Sequence, residues 1–225
     1  MNQQITQQQF TVKRIESLDE LDMAMKMRTK VIQTNQIFKK FSFDQIYSGE
    51  EQRATQKIIQ EGFGYCALNE FGEIVSVVLS FDLTFEPYQN PDQLTPPQLS
   101  LYKARNQALA ILNPEQKGQA YWVGYSATKE ECRRQGLQWK MILTACQEGH
   151  RRGIQFAAIH IISFESHSMA KAFGMHVFGY SEASDPTDKR QYFMGDGEFT
   201  KEMGINAVAI IEVRKLQELV YSSKL

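Results

Sequence analysis

The stretch from Tyr121 to Arg152 constrains this chain more than any other. Tyr121-Trp122-Val123-Gly124-Tyr125-Ser126-Ala127-Thr128 is apolar enough to read as a buried strand. Lys129 to Cys132 read as a turn, and Arg133-Arg134-Gln135-Gly136-Leu137-Gln138 opens a helix predicted to run to about Arg152. The first backbone N–H groups of a helix lack intrahelical partners, and the helix dipole makes that end positive. A strand feeding such a helix start is expected to hold an anion, here the pyrophosphate of a nucleotide-type cofactor. Arginine at that end opposes the dipole, so Arg133 and Arg134 point to an external anion rather than to solvated surface.

Bulk properties narrow the field further. A length of 225 residues favours one domain with a sizeable core. Hydrophobic content of 42% and charged content of 23% are those of an ordinary folded protein. A net charge of -1 argues against broad nucleic-acid binding, which needs a strong positive field. No apolar run approaches the ~20 residues of a membrane span. The polar start Met1-Asn2-Gln3-Gln4 lacks the layout of a signal peptide. Cys66, Cys132 and Cys146 are too scattered for a zinc site or a disulfide framework, and a reducing, cytoplasmic setting is expected.

Residues 1–9 read as a glutamine-rich flexible tail, and 10–225 as a single domain. Phe10–Ile15 alternates as an opening strand, and a helix with apolar positions Leu21, Met25, Val31 and Ile32 runs from Ser17 to about Gln33. Asn35–Phe43 reads as a loop or a broken helix. A polar helix over Asp44–Gln60 has Ile46, Ala54, Ile58 and Ile59 as candidate buried positions. Strands Tyr65–Asn69 and Ile74–Phe85 flank a tight hairpin, and Val75, Val77, Leu79, Phe81, Leu83 and Phe85 are predicted to form one face of a half-buried strand. Pro87–Lys117, with a helix over Gln98–Leu112, reads as an insertion near the substrate end or as a surface excursion.

In the predicted central helix, Trp139, Ile142, Leu143 and Cys146 form one stripe, with Leu137, Met141 and Ala145 opposite. His150-Arg151-Arg152-Gly153 ends it. Ile154–Ile162 is a central strand buried on both faces. A short helix over Glu165–Phe173, a strand over Met175–Tyr180, a loop over Asp185–Gly204 and a last strand over Ala207–Val213 complete the chain. His160 reads as a core residue, His167 as a surface one and Cys132 as packing.

This order of elements resembles the GNAT superfamily of N-acetyltransferases. The match is carried by Ala127-Thr128-Lys129-Glu130-Glu131-Cys132-Arg133-Arg134-Gln135-Gly136-Leu137-Gln138. The family pattern at the helix start is Arg/Gln-x-x-Gly-x-Gly/Ala, and Arg133 and Gly136 fit it, while Gln138 stands where Gly or Ala is expected. Ala172-Phe173-Gly174-Met175 is similar to a second family segment. The resemblance implies an α/β (α+β) fold with a mixed, mostly antiparallel sheet of about six to seven strands flanked by helices.

It also implies acetyl-CoA binding. Arg133, Arg134, Gln135, Gly136, Leu137, Gln138 and Trp139 would cradle the pyrophosphate. Ala127, Thr128 and Lys129 would lend backbone groups to the pantetheine arm, with the Gln138 side chain either turned away or partly obstructing the phosphate. The implied reaction is direct attack of a primary amine, first of all a small molecule, on the thioester. A protein N-terminus or lysine as acceptor and a catalytically silent coenzyme A-binding module are the alternatives, and the chain is expected to act as a monomer or homodimer. The usual tyrosine acid falls at Ala170, and the paired histidines of vertebrate arylalkylamine acetyltransferases fall at Trp122 and Gly124. Tyr125, Ser163 and Ser166 are the nearest candidates for proton transfer.

Overall fold

The computed structural model describes residues 9–34, 38–180, 206–215 and 218. The tail over residues 1–8, the loop over Asp185–Gly204 and part of the Asn35–Phe43 loop lie outside the described residues. The elements are β1 (Thr11–Arg14), α1 (Leu18–Ile32), α2 (Phe43–Ile46), α3 (Gly49–Glu61), β2 (Phe63–Leu68), β3 (Ile74–Asp82), α4 (Pro96–Leu112), β4 (Ala120–Thr128), α5 (Leu137–Arg151), β5 (Phe156–Ile161), α6 (Phe164–Ala172), β6 (His176–Tyr180) and β7 (Asn206–Glu212).

Among the described residues, seven strands form one sheet in the order β1-β2-β3-β4-β5-β7-β6. Only the β4–β5 pair is parallel, and every other neighbour is antiparallel. This is the mixed, mostly antiparallel sheet the sequence predicts. Helices cover both faces. Leu137, Trp139, Met141, Ile142, Ala145 and Cys146 of α5 pack with Val78, Val123 and Ile159 on one side. Leu21 and Met25 of α1, Ile58 of α3 and Leu101, Ala104 and Ala108 of α4 pack with Leu79, Phe81, Trp122 and Tyr125 on the other. Among the described residues no helix is long and apolar enough to cross a membrane.

Several local expectations change. The helix expected over Asp44–Gln60 is two helices, broken at Tyr47 and Ser48. β3 is buried on both faces rather than one, because α5 covers the side opposite α1. Val75 leaves the Val77–Leu79–Phe81 face, since Ser76 pairs with Ala67 and Ile74 with Leu68, so Val75 is an extra residue that reverses the alternation. Pro96 and Pro97 lie inside the first turn of α4, where a missing N–H costs nothing, and Thr95 and Gln98 close a capping box there. α4 lies on β4, β5 and β7 as part of the core. The two stripes expected on α5 merge into one buried face. His167 is 4% exposed, not a surface residue.

Candidate active site

The site begins where the sheet divides. β4 pairs with β5 only from Ala120 to Val123, opposite Phe156 to Ile159. Beyond that, His160 and Ile161 stay with β7, whereas Tyr125 to Thr128 stay with β3. The break coincides with a bulge, because Leu79 pairs with Tyr125 and Ser80 with Val123, leaving Gly124 as the extra residue. A Cβ on Gly124 would sit 1.9 Å from Trp122 Nε1, so the indole fills the space a side chain would need. Trp122 is itself stacked on His160 at 5.9 Å. Trp122 and Gly124 are thus a packed pair that shapes the bulge.

Past the bulge, β4 has an open edge with a defined parity. Lys129 N–H donates to the Val75 carbonyl at 2.8 Å, and alternate residues of an antiparallel pair point the same way. The polar backbone groups of Tyr125, Ala127 and Lys129 therefore face β3. Those of Ser126 and Thr128 face the gap toward β5. Ala127 and Lys129, expected to lend backbone to a ligand, thus turn it to β3, and Ser126, absent from the sequence-based set, presents its own to the gap with Thr128. Arg133 Nε reaches the Thr128 carbonyl at 3.4 Å and folds the following loop back onto this edge.

Arg133 to Gly136 is not the start of the helix. A short 3-10 turn spans Glu130–Cys132, Arg133 is extended, and Arg134 and Gly136 have φ of 61° and 72°. α5 begins at Leu137, with Gly136 at its N-cap and no side-chain cap. Lys140 N–H is the first to bond within the helix, to the Gly136 carbonyl at 2.8 Å. The amides of Leu137, Gln138 and Trp139 are the groups such a turn leaves without intrahelical partners. A Cβ on Gly136 would meet nothing within 4 Å, so the space beside it is open. Two left-handed residues, an uncapped helix start and two exposed arginines come together here, the donor set and charge that an anion calls for. The residues present therefore fit a diphosphate.

Other expected residues have structural work. The Gln138 side chain turns in toward the sheet, donating to Ser126 Oγ at 2.9 Å. Trp139 is buried and stacks on Phe173 at 3.7 Å, tying the first turn of α5 to the end of α6. Ser163 and Ser166 cap α6 reciprocally: Ser163 Oγ accepts from Ser166 N–H at 3.1 Å, and Ser166 Oγ from Ser163 N–H at 3.1 Å. Ala170 is fully buried. Thr128 Oγ1 lies 2.6 Å from Ser76 Oγ.

Of the three candidates for proton transfer, only Tyr125 joins a longer chain. Its hydroxyl lies 2.8 Å from that of Tyr88, which donates to Glu51 Oε2 at 3.0 Å. Arg28 lies over the Tyr125 ring at 5.0 Å, and its Nη1 is 3.6 Å from Glu51 Oε1. Four elements supply this cluster: α1, α3, the segment after β3, and β4. Arg105 of α4 sets the segment after β3 by donating to the Leu83 and Phe85 carbonyls at 3.0 and 2.5 Å. Glu50 Oε1 then fixes the backbone beside Tyr88, accepting from Gln89 N–H at 2.6 Å.

Burial pushes the Glu51 carboxyl up to about 7, against the pull of Arg28 and the Tyr88 hydrogen bond. Burial also holds Tyr88 and Tyr125 well above the ordinary phenol range. Glu51, Tyr88 and Arg28 had no place in the sequence-based site. The signal for Arg28 was there, since it falls on the stripe Leu21–Met25–Arg28–Ile32, where a charge is out of place.

No protein-family model matches the chain, and no curated protein does. Solved structures do. Arylalkylamine N-acetyltransferase 2 of Aedes aegypti superposes with a TM-score of 0.61 at 13% identity, covering 91% of this chain and 99% of that one. Polyamine N-acetyltransferase of Drosophila melanogaster gives 0.59 at 13%, covering 91% and 100%. The N-acyl amino acid synthase FeeM, from uncultured soil microbes, gives 0.55 at 11%, covering 96% of each. At these identities the likeness is one of fold, and the fold is that of the GNAT N-acetyltransferases.

Proposed function

We propose that the chain is an N-acyltransferase that moves an acetyl group from acetyl-CoA to a primary amine. The observation that carries this reading is the split between β4 and β5 beside an uncapped helix start. It combines an open strand edge for an extended arm with an amide cradle for a diphosphate. The Leu137, Gln138 and Trp139 amides, with Arg133 and Arg134, would hold the diphosphate. Ser126 and Thr128 would pair with the arm as a strand edge pairs with an added strand. Acetyl-CoA, when bound, supplies the acyl group as an activated thioester.

The chain's own residues would then orient the acceptor and take its proton. A primary amine reaches the site as an ammonium ion and must lose a proton before it can attack. Tyr125 would accept that proton while passing its own to Tyr88, and Tyr88 its own to Glu51. Ser126 N–H, the first open-edge amide past the bulge, offers a donor to the carbonyl oxygen as charge builds there. A thiol leaving group, with an ordinary pKa of about 8.5, does not require the acid missing at Ala170.

The structural neighbours act on different acceptors, so none is transferred to this chain. A protein N-terminus or lysine remains the alternative acceptor. Buried Ala170 favours a second reading, a coenzyme A-binding module without turnover. Acetyl-CoA-dependent thiol release, followed across a panel of primary amines, decides between them. Release that requires an amine supports the enzyme. Saturable coenzyme A binding with no release on any acceptor supports the silent module.

A further inference from the structure

Arg28 is 5% exposed, yet its Nε and Nη1 have no hydrogen-bond acceptor. Its nearest anion, Glu51 Oε1, stands 3.6 Å from Nη1, too far for a hydrogen bond. Glu51 directs its other oxygen to Tyr88 instead. A buried guanidinium with two unmet donors is costly, and such a group in a native fold calls for a partner. The guanidinium keeps its charge at any working pH, and both N–H groups call for an oxygen acceptor, which a carboxylate supplies. Arg28 also lies over Tyr125, the residue next to the Gly124 bulge where β4 leaves β5.

We propose that Arg28 binds a carboxylate on the acceptor, so that the substrate is an amino acid rather than a plain amine. This rests on the acyltransferase reading and names its substrate class. The cluster is complementary to a zwitterion. Arg28 carries a fixed positive charge with unused donors, and Glu51 accepts a proton through Tyr88 and Tyr125. An amino acid brings the two matching charges, a carboxylate for Arg28 and an ammonium whose proton passes to Glu51. The balance then closes. One ammonium proton goes to Glu51, the neutral nitrogen forms the new C–N bond as the thioester C–S bond breaks, and a second N–H proton leaves with the sulfur as thiol. The product is an N-acyl amino acid, and Arg28 faces the same carboxylate before and after.

Two measurements test this, one independent of turnover. In the first, glycine, leucine and phenylalanine are titrated calorimetrically into the full chain without coenzyme A, alongside methylamine, isopentylamine and phenethylamine, the same amines lacking the carboxylate. Leucine methyl ester controls for size. At least one amino acid is expected to bind ten or more times more tightly than its decarboxylated counterpart and than the ester. Equal affinities, or no amino acid binding, overturn the proposal. In the second, kcat/KM for thiol release is compared within each pair. The amino acid is expected to be favoured tenfold or more, with the ratio falling toward one in Arg28→Gln and partly kept in Arg28→Lys. Plain amines used as well as amino acids would overturn the proposal and leave acyl transfer standing. Amino acid binding without thiol release on any acceptor would leave the carboxylate site standing and overturn acyl transfer. A preference that survives in folded Arg28→Gln also overturns the role given to Arg28.

Discussion

The Tyr125 hydroxyl lies 2.8 Å from the Tyr88 hydroxyl, inside the protein and beside the point where β4 parts from β5. Neither phenol ionises near neutral pH, because burial holds both well above their ordinary range. They can therefore relay a proton without storing one. In the proposed reaction Glu51, reached through Tyr88 and facing Arg28 of α1, would store it, with its carboxyl pushed up to about 7 by burial.

The pH dependence of kcat/KM follows. Activity needs Glu51 unprotonated, so kcat/KM is expected to rise with pH through about 7. Glu51→Gln removes the acceptor and is expected to lower kcat/KM by about 10²- to 10⁴-fold while abolishing that limb. Tyr88→Phe cuts the chain in the middle, so it should lower kcat/KM and abolish the same limb. Steady-state profiles of the three proteins check this, and a Glu51→Gln profile that matches wild type would remove Glu51 from the mechanism.

The same carboxyl affects stability. Its folded value, about 7, lies above the ordinary 4.5, so the folded state holds a proton that the unfolded chain has already released between those values. The stabilisation is fully present below about pH 4.5 and is lost as pH rises through about 7, a change on the order of 3 kcal/mol. Glu51→Gln cannot titrate. Its stability relative to wild type should therefore improve by roughly that amount between pH 4.5 and 8, as read from urea unfolding midpoints. A constant difference across that range would contradict it.

Gly124→Ala tests the bulge. The new methyl would collide with the Trp122 indole, a buried ring that cannot swing away while stacked on His160. Overpacking of this kind costs about 1–3 kcal/mol. A matching fall in the thermal midpoint is expected, together with weaker coenzyme A binding as the strand edge shifts. An unchanged midpoint would mean the indole is free to move.

Arg134 holds a left-handed conformation that costs a residue with a Cβ about 1 kcal/mol. Arg134→Gly is expected to raise stability by up to that amount and to weaken coenzyme A binding by removing a cation from the cradle. Stability and affinity should move in opposite directions. Unchanged affinity would place Arg134 outside the phosphate site.

The sequence carried the frame and lost the chemistry, for identifiable reasons. The β4–α5–β5 core was legible because long apolar runs and a capped C-terminal helix end have few other uses. Gly124 and Val75 were not seen as bulges, since an extra residue shows only against a partner's register. That register also decides that Ser126 rather than Ala127 opens toward the gap, which no single strand can reveal. Glu51 looked like solvated charge on a polar helix because its burial depends on Arg28, 23 positions earlier, and on Tyr88, 37 positions later. In α1, Arg28 fills the stripe position that an apolar residue would hold.

The central claim is that the Gly136–Trp139 helix start grips a diphosphate, and calorimetric titration of coenzyme A into wild type and Gly136→Asp tests it most directly. Wild type is expected to bind saturably, and a hundredfold excess over Kd should stabilise it by about 2.7 kcal/mol. Gly136→Asp puts a carboxylate into the open space beside the amides and should abolish both effects. Binding of equal strength in the two proteins would contradict the claim.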